Sequence, residues 1–170
     1  MLAVEACMRW YARFRQEDED LWGLTGLLHD FDYEGHPEEH PLWGMRLLES
    51  QGWPTEVVRA IASHFEAKTG VAPETPMERH LFACDEITGF VAAVTYVRPD
   101  RDVRSVEVKS VTKKLKVPSF AAAVSRDDLN KGAELIGLTL EAHIANVLTA
   151  MAGSAQELGL AGTLDGADGR

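Results

Sequence analysis

The chain has 170 residues, 45% of them apolar, enough for one domain with a substantial core, since a domain near this size removes about 70% of its unfolded surface from water. Its 17 basic and 27 acidic residues give a formal charge of −10, which repels phosphate backbones and anionic lipid and argues against a nucleic acid polymer or a membrane as partner. Cys7 and Cys84 stand alone without a CxxC or a signal-peptide pattern, and no apolar run is longer than Phe90 to Val94, far short of the roughly 20 residues that span a bilayer; a reducing, cytoplasmic setting is the expectation.

Apolar residues recur at three- and four-residue spacing almost throughout, so the fold class read from the pattern is all-α. Helices are predicted over 2–15, 19–31, 39–51, 55–66, 76–97, 105–116, 127–137 and 139–152. The punctuation agrees. Gly35-His36-Pro37 closes the second, Gly52-Trp53-Pro54 separates the third from the fourth, Thr75-Pro76 opens the fifth and Arg98-Pro99 ends it. Ser125, three residues before Asp128, reads as the cap of the seventh. Val103, Val106, Val108 and Val111 alternate imperfectly, which leaves a short strand near 103–111 as the alternative there. Gly, Ala, Ser and Asp dominate after Met151, so the expected division is a helical domain over 1–152 and a flexible tail over 153–170.

Between Arg98 and Lys116 seven basic residues face three acids, a local excess of four positive charges. A solvated helix face is the ordinary reading of such a run, and an electropositive wall for a small anion is the other.

Several ligand-type side chains fall on apolar stripes. His64 follows Val57, Ala60 and Ile61 at helical spacing, so its imidazole points inward. His40 leads a stripe of Trp43, Gly44 and Leu47, and Asp85 shares a face with Leu81, Thr88 and Ala92. His29 and Asp30 diverge by about one hundred degrees on a helix, so one cavity receives both only where a helix end faces it. A buried carboxylate costs several kcal/mol unless a cation or donors meet it. A lone inward His or Asp is ordinarily a hydrogen-bonded core residue, but three His and two Asp with few Lys or Arg between them point to a cation, and mixed imidazole and carboxylate ligands suit Mn, Zn, Fe, Co or Ni, as one ion or two. His80 and Cys84, four apart on one helix, are a competing metal pair; His36 and His143 read as surface or structural.

The adjacent His29-Asp30, the later "EHPLWGMRLL" and "AIASHFE", and Asp85 in "FACDEITGF" resemble the HD-domain superfamily of metal-dependent phosphohydrolases, over about residues 2–150. The blocks "HDFDYE" and "VEVKSVTKKLKVPSFAAAVSRDD" are similar to a small stand-alone bacterial subgroup. The resemblance implies an all-α HD bundle of about seven to eight helices. It implies that His29, Asp30 and Asp85 bind the metal, that Asp30 bridges two ions where two are present, and that His40 and His64 hold the second. It also implies a first histidine, in a pattern His-x-Leu-Ala-Val-Glu, whose position falls just before Met1 of "MLAVEACM"; the expectation is either an upstream start or true loss of that ligand.

The expected function is hydrolysis of a small phosphomonoester or nucleotide by metal-activated water, with Asp30 or Glu34 orienting or deprotonating the water and Glu34 also the hydrogen-bond partner behind a ligand histidine. Lys109, Lys113 and Arg126 are the candidate phosphate contacts, and Thr88 with Gly89 leaves room for substrate beside Asp85. Asp32 reads as a surface or helix-end acid. The alternatives are a non-catalytic HD-like module that binds a nucleotide or partner, and a di-iron oxygenase built on the same ligands. A homodimer is left open.

Overall fold

The sequence's most apolar stretch becomes the axis of the molecule. In a computed structural model, which describes residues 1–162, helix α6 (Pro76–Tyr96) runs for 21 residues. Its start is fixed twice over, by Pro76 in the first turn and by a reciprocal cap in which the Thr75 hydroxyl accepts from the Glu78 amide and the Glu78 carboxylate accepts from the Thr75 amide. Leu81, Cys84, Ile87, Phe90, Val91 and Val94 are buried along it, because other helices cover it on several sides. Each large side chain so buried contributes about 1.5–3 kcal/mol.

Helices α1 (Leu2–Arg15) and α2 (Glu19–Leu28) pair with each other, α3 (Leu42–Ser50) packs on α4 (Thr55–His64), and a single turn, α5 (Glu66–Thr69), follows. Helices α7 (Val108–Leu115), α8 (Arg126–Leu135) and α9 (Leu140–Gly153) complete the surround of α6. One core centres on α1, α6 and α9; a smaller one, Leu48, Val57, Val58 and Ile61, lies between α3 and α4. Among the described residues there are nine α-helices and no strand, and no single helix is long and apolar enough to cross a membrane.

Three expectations need correction. The alternating valines build no strand: Val103–Ser105 is a 3-10 turn, and α7 then buries Val111. With no partner strand nearby, a helix is the way for that backbone to satisfy its own donors and acceptors. Helix α2 stops at Leu28 and α3 starts only at Leu42, shorter than the predicted 19–31 and 39–51, because His29, Asp30 and Asp32 find their partners off the helix and Pro41 disfavours helical geometry at His40. The packed unit also continues past 152. Ala155 and Leu160 are buried, and the Val103 amide donates to the Leu160 carbonyl at 2.9 Å. The rest of the expected tail, 163–170, lies outside the described residues.

Helices α6 and α8 approach closely at Gly132, where a Cβ would stand 2.8 Å from Ala83 Cα. Gly132→Ala should therefore cost about 1–3 kcal/mol of stability, read by chemical denaturation, because backbone has to move. A second test concerns His80, buried between Tyr11 and Trp22 with Nδ1–H donating to the Pro76 carbonyl. Burial lowers its pKa to about 4, aided by Arg15 and His143 and opposed by the Pro76 carbonyl. The folded value lies below the unfolded one, so this stability is whole above the ordinary imidazole value of 6.5 and is lost as pH falls toward about 4. Between about pH 7 and about pH 4.5 the native chain should lose about 2–3 kcal/mol more than His80→Phe, whose ring cannot charge. Equal losses would remove His80 as the titrating group.

Candidate metal centre

Helix ends and one helix middle deliver the candidate ligands. His29 caps the C-terminus of α2 with Asp30 in the turn beyond it, so the two adjacent side chains reach one point, as the divergence argument requires. His40 sits in the turn before α3, His64 is the last residue of α4, and Asp85 lies midway along α6. They form two groups that share Asp30: His29, Asp30 and Asp85, and Asp30, His40 and His64, with the ligand atoms of each group within 4.8 Å of one another.

The orientation of the rings is set by acceptors on their far side. His29 Nδ1–H donates to the Gly26 carbonyl at 2.7 Å, His64 Nδ1–H to the Ile61 carbonyl at 2.5 Å, and His40 Nδ1–H to the Asp32 carboxylate at 2.7 Å. Carbonyls and carboxylates only accept, so each Nδ1 holds a proton and each Nε2 faces the centre, free to coordinate once any proton it carries is displaced. His29 Nε2 stands 3.3 Å from Asp30 Oδ2 and 3.2 Å from Asp85 Oδ1. His40 Nε2 is 3.2 Å and His64 Nε2 3.6 Å from Asp30 Oδ1. The two oxygens of Asp30 thus face different groups. His40 Nε2 and His64 Nε2 meet at 3.2 Å. A cation fits this donor set of three imidazoles and two carboxylates.

Charge distribution says the same. Burial alone would lower the His29 imidazolium pKa, but Asp30 and Asp85 raise it to about 10. Burial would raise Asp30, and His29 and His64 hold it far below the usual carboxylate range; Asp85 is lowered against burial chiefly by His29. The carboxylates are not sealed in the core as expected: the Asp30 and Asp85 side chains are 34% and 30% exposed, whereas His29 is 1% exposed. They form the floor of a cavity of about 400 Å³ whose remaining wall includes Tyr33, Phe65, Phe82, Glu86, Val124 and Asp128. Burial, with the charges of Asp85 and Asp128, pushes the Glu86 carboxyl upward.

Other expected residues lie elsewhere. Glu34 is exposed and outside the cavity wall; the partner of a ligand histidine is Asp32, which is buried and not a surface acid. Asp32 accepts from His40 with one oxygen and from the Gly44 amide, at 2.8 Å, with the other. Lys109 is exposed and paired to Glu107, and Lys113 is exposed; neither lines the cavity. The Arg126 guanidinium donates to the carbonyls of Val117, Phe120, Ala121 and Val124, so it holds the 117–124 loop and has little capacity left for phosphate. Thr88 is buried with its hydroxyl donating to the Asp85 carbonyl, and it braces α6 while Gly89 lines the cavity. The rival pair is no site: His80 is bonded to Pro76, and Cys84 neighbours Cys7, with neither in a convergent ligand group among the described residues. His36 stacks on Trp43 at 3.9 Å, and His143 is buried, accepting from the Tyr11 hydroxyl and donating to the Ala83 carbonyl.

Sequence reasoning missed Asp32, Glu86, Asp128 and the three rings. The signal for Asp32 was present in part, since an acid two residues beyond Asp30 and followed by a turn can fold back on the same site. Its selection over Glu34 depends on Gly44. A Cβ there would fall 2.9 Å from the Asp32 carboxylate and from Phe31, so only glycine lets the α3 amide grip Asp32. Asp32→Ala and Gly44→Ala should each weaken metal binding by about 10–100-fold, measured by competition with a chromogenic chelator. Native affinity in Asp32→Ala would refute the orienting role.

A family model for the HD domain matches residues 1–89, a span that contains all five converging side chains. Comparison with curated proteins and with solved structures gave no match. Together with the paired His29-Asp30 and the distant Asp85 closing on one point, the match covers just over half of the 170 residues, and the chain belongs to the HD-domain family, whose members bind divalent metals and are generally hydrolases.

Proposed function

We propose that this protein is a metal-dependent phosphohydrolase that cleaves a small phosphomonoester with water. The observation that carries the reading is the set of three imidazole Nε2 atoms, oriented by Nδ1–H bonds on the far side of each ring, that face the two oxygens of Asp30, two of them only 3.2 Å apart. His29, Asp30 and Asp85 would hold one divalent transition-metal ion, and His40, His64 and Asp30 a second. Such ions, when bound, lower the pKa of a bound water from about 16 toward 7 and polarise phosphoryl oxygens.

The lining of the cavity supports dependence on metal. No Lys or Arg is among the described residues that line it, so an incoming phosphate has only the ligand-held cations to neutralise it. Asp30, facing both groups, orients the attacking water. The water oxygen bonds to phosphorus as the ester oxygen leaves; one water proton ends on the alcohol and the other remains with phosphate. Tyr33, Phe65 and Phe82 limit solvent entry to the cavity and receive the leaving group.

Metal analysis and a phosphatase panel test the reading. Chelation should abolish turnover and metal return should restore it, and His29→Ala and Asp30→Ala should each lose at least about 100-fold in kcat/KM together with metal. The double variant Lys109→Ala, Lys113→Ala should stay within about twofold of the native rate, as expected of exposed surface charge. Full metal content and activity in His29→Ala would overturn the proposal.

A further inference from the structure

Hydrolysis by in-line displacement develops charge at two places, and the ion groups lie at one of them. Asp30 and the other ligands are at the floor of the cavity, on the side of the attacking water. The ester oxygen leaves from the opposite side of phosphorus, toward the mouth, and gathers negative charge as its bond breaks. A hydrogen-bond donor at the mouth would meet that charge. The side chains that line the cavity are ion ligands, carboxylates and apolar groups, with a single phenol, Tyr33. The two carboxylates outside the ion groups serve the start of α8: Glu86 accepts from the Ser125 amide, and Asp128 stands in the first turn. Lys131, over the Phe82 ring, is paired with Glu66 at 3.0 Å.

Tyr33 is placed by the same turn that carries the ligands. Its amide donates to the Asp30 carbonyl at 3.0 Å, and the His36 amide closes the turn on the Asp32 carbonyl at 2.7 Å. Its ring stands edge-on to His40 with centroids 5.3 Å apart, and His40 Nε2 in turn faces Asp30 at 3.2 Å. The phenol is thus fixed against the ion groups through backbone on one side and through a ligand ring on the other. The residue is nevertheless 55% exposed, which puts it at the mouth and not on the floor.

Resting on the phosphohydrolase reading above, we infer that Tyr33 is a catalytic residue of that reaction, its Oη–H donating a hydrogen bond to the ester oxygen as that oxygen leaves. The phenol keeps its own proton. The bond from the water oxygen to phosphorus forms, the bond from phosphorus to the ester oxygen breaks, and the proton that the alcohol gains is one released by the attacking water. Such a donor matters in proportion to the charge it meets. It serves esters of aliphatic alcohols, whose oxygen leaves with its charge localised, and does little for an aryl ester whose ring already spreads that charge.

The test measures kcat/KM of the metal-reconstituted full chain on benzyl phosphate and on p-nitrophenyl phosphate, esters of similar size that differ in how well the leaving oxygen carries charge. Tyr33→Phe should lose about 10–100-fold on benzyl phosphate and no more than about threefold on p-nitrophenyl phosphate, with metal content unchanged. The ratio of the two rates within one variant decides the matter, because misfolded protein or lost metal lowers both rates together. Phe65→Leu, at the same mouth but without a donor, should leave that ratio within about twofold of native. Equal loss on both esters in Tyr33→Phe, no loss on either, a benzyl ester that the native chain does not cleave, or the same change of ratio in Phe65→Leu overturns the inference. Native cleavage of p-nitrophenyl phosphate in any of those cases leaves the phosphohydrolase reading standing, whereas metal-loaded protein that cleaves neither ester overturns both.

Discussion

Three imidazoles are held so that they cannot turn away from one another. The Gly26 carbonyl, the Ile61 carbonyl and the Asp32 carboxylate each accept a hydrogen bond from an Nδ1–H, which aims the Nε2 atoms at the oxygens of Asp30 and Asp85. Carboxylate oxygens and imidazole nitrogens gathered at about 3.2 Å are unfavourable without a positive charge among them. In the bare protein a proton on His29 supplies part of that charge: Asp30 and Asp85 raise His29 to about 10 and are themselves depressed. A divalent ion answers the same demand better, since it can be met by several lone pairs together.

The rest of the architecture keeps these groups in register. Helix α6 supplies a long, well-capped rod that fixes Asp85, and α2 and α4 each end where their terminal histidine is needed. The loop before α8 is stiffened by Arg126, whose guanidinium gathers four backbone carbonyls and so positions Val124 on the cavity wall. The side chain that looks like a phosphate clamp in the sequence is a strut in the fold.

Much of this was legible in the residues alone, and the boundary between what was and was not has a physical basis. Helical spacing places His64 behind Val57, Ala60 and Ile61, and all four are buried; the same logic puts Asp85 below Leu81. Periodicity reports which face a residue occupies, and for His64 that was enough. It does not report which of several nearby acids reaches a given ring, so Asp32 and Glu34 could not be ranked without the α3 amide and the missing Cβ at Gly44. The basic stretch misled for a related reason. Three of its seven cations are met by neighbours, Arg98 on Asp100, Arg104 on Asp102 and Lys109 on Glu107, and Lys109 and Lys113 lie outside the cavity wall, all settled by local geometry that a count of charges ignores. The alternating valines likewise described burial correctly at Val103, Val106 and Val111 while saying nothing about whether a partner strand exists.

The five candidate ligand residues come from the end of α2, the turn entering α3, the end of α4 and the middle of α6, four separate places in the chain. An ion gripped by all of them is a cross-link as well as a cofactor. Occupancy therefore adds to the free energy of the folded state, by about 2.7 kcal/mol at a free concentration one hundred times the dissociation constant. Scarcity of the ion would loosen the α3–α4 corner, where the core is small, before it disturbed the packing around α6.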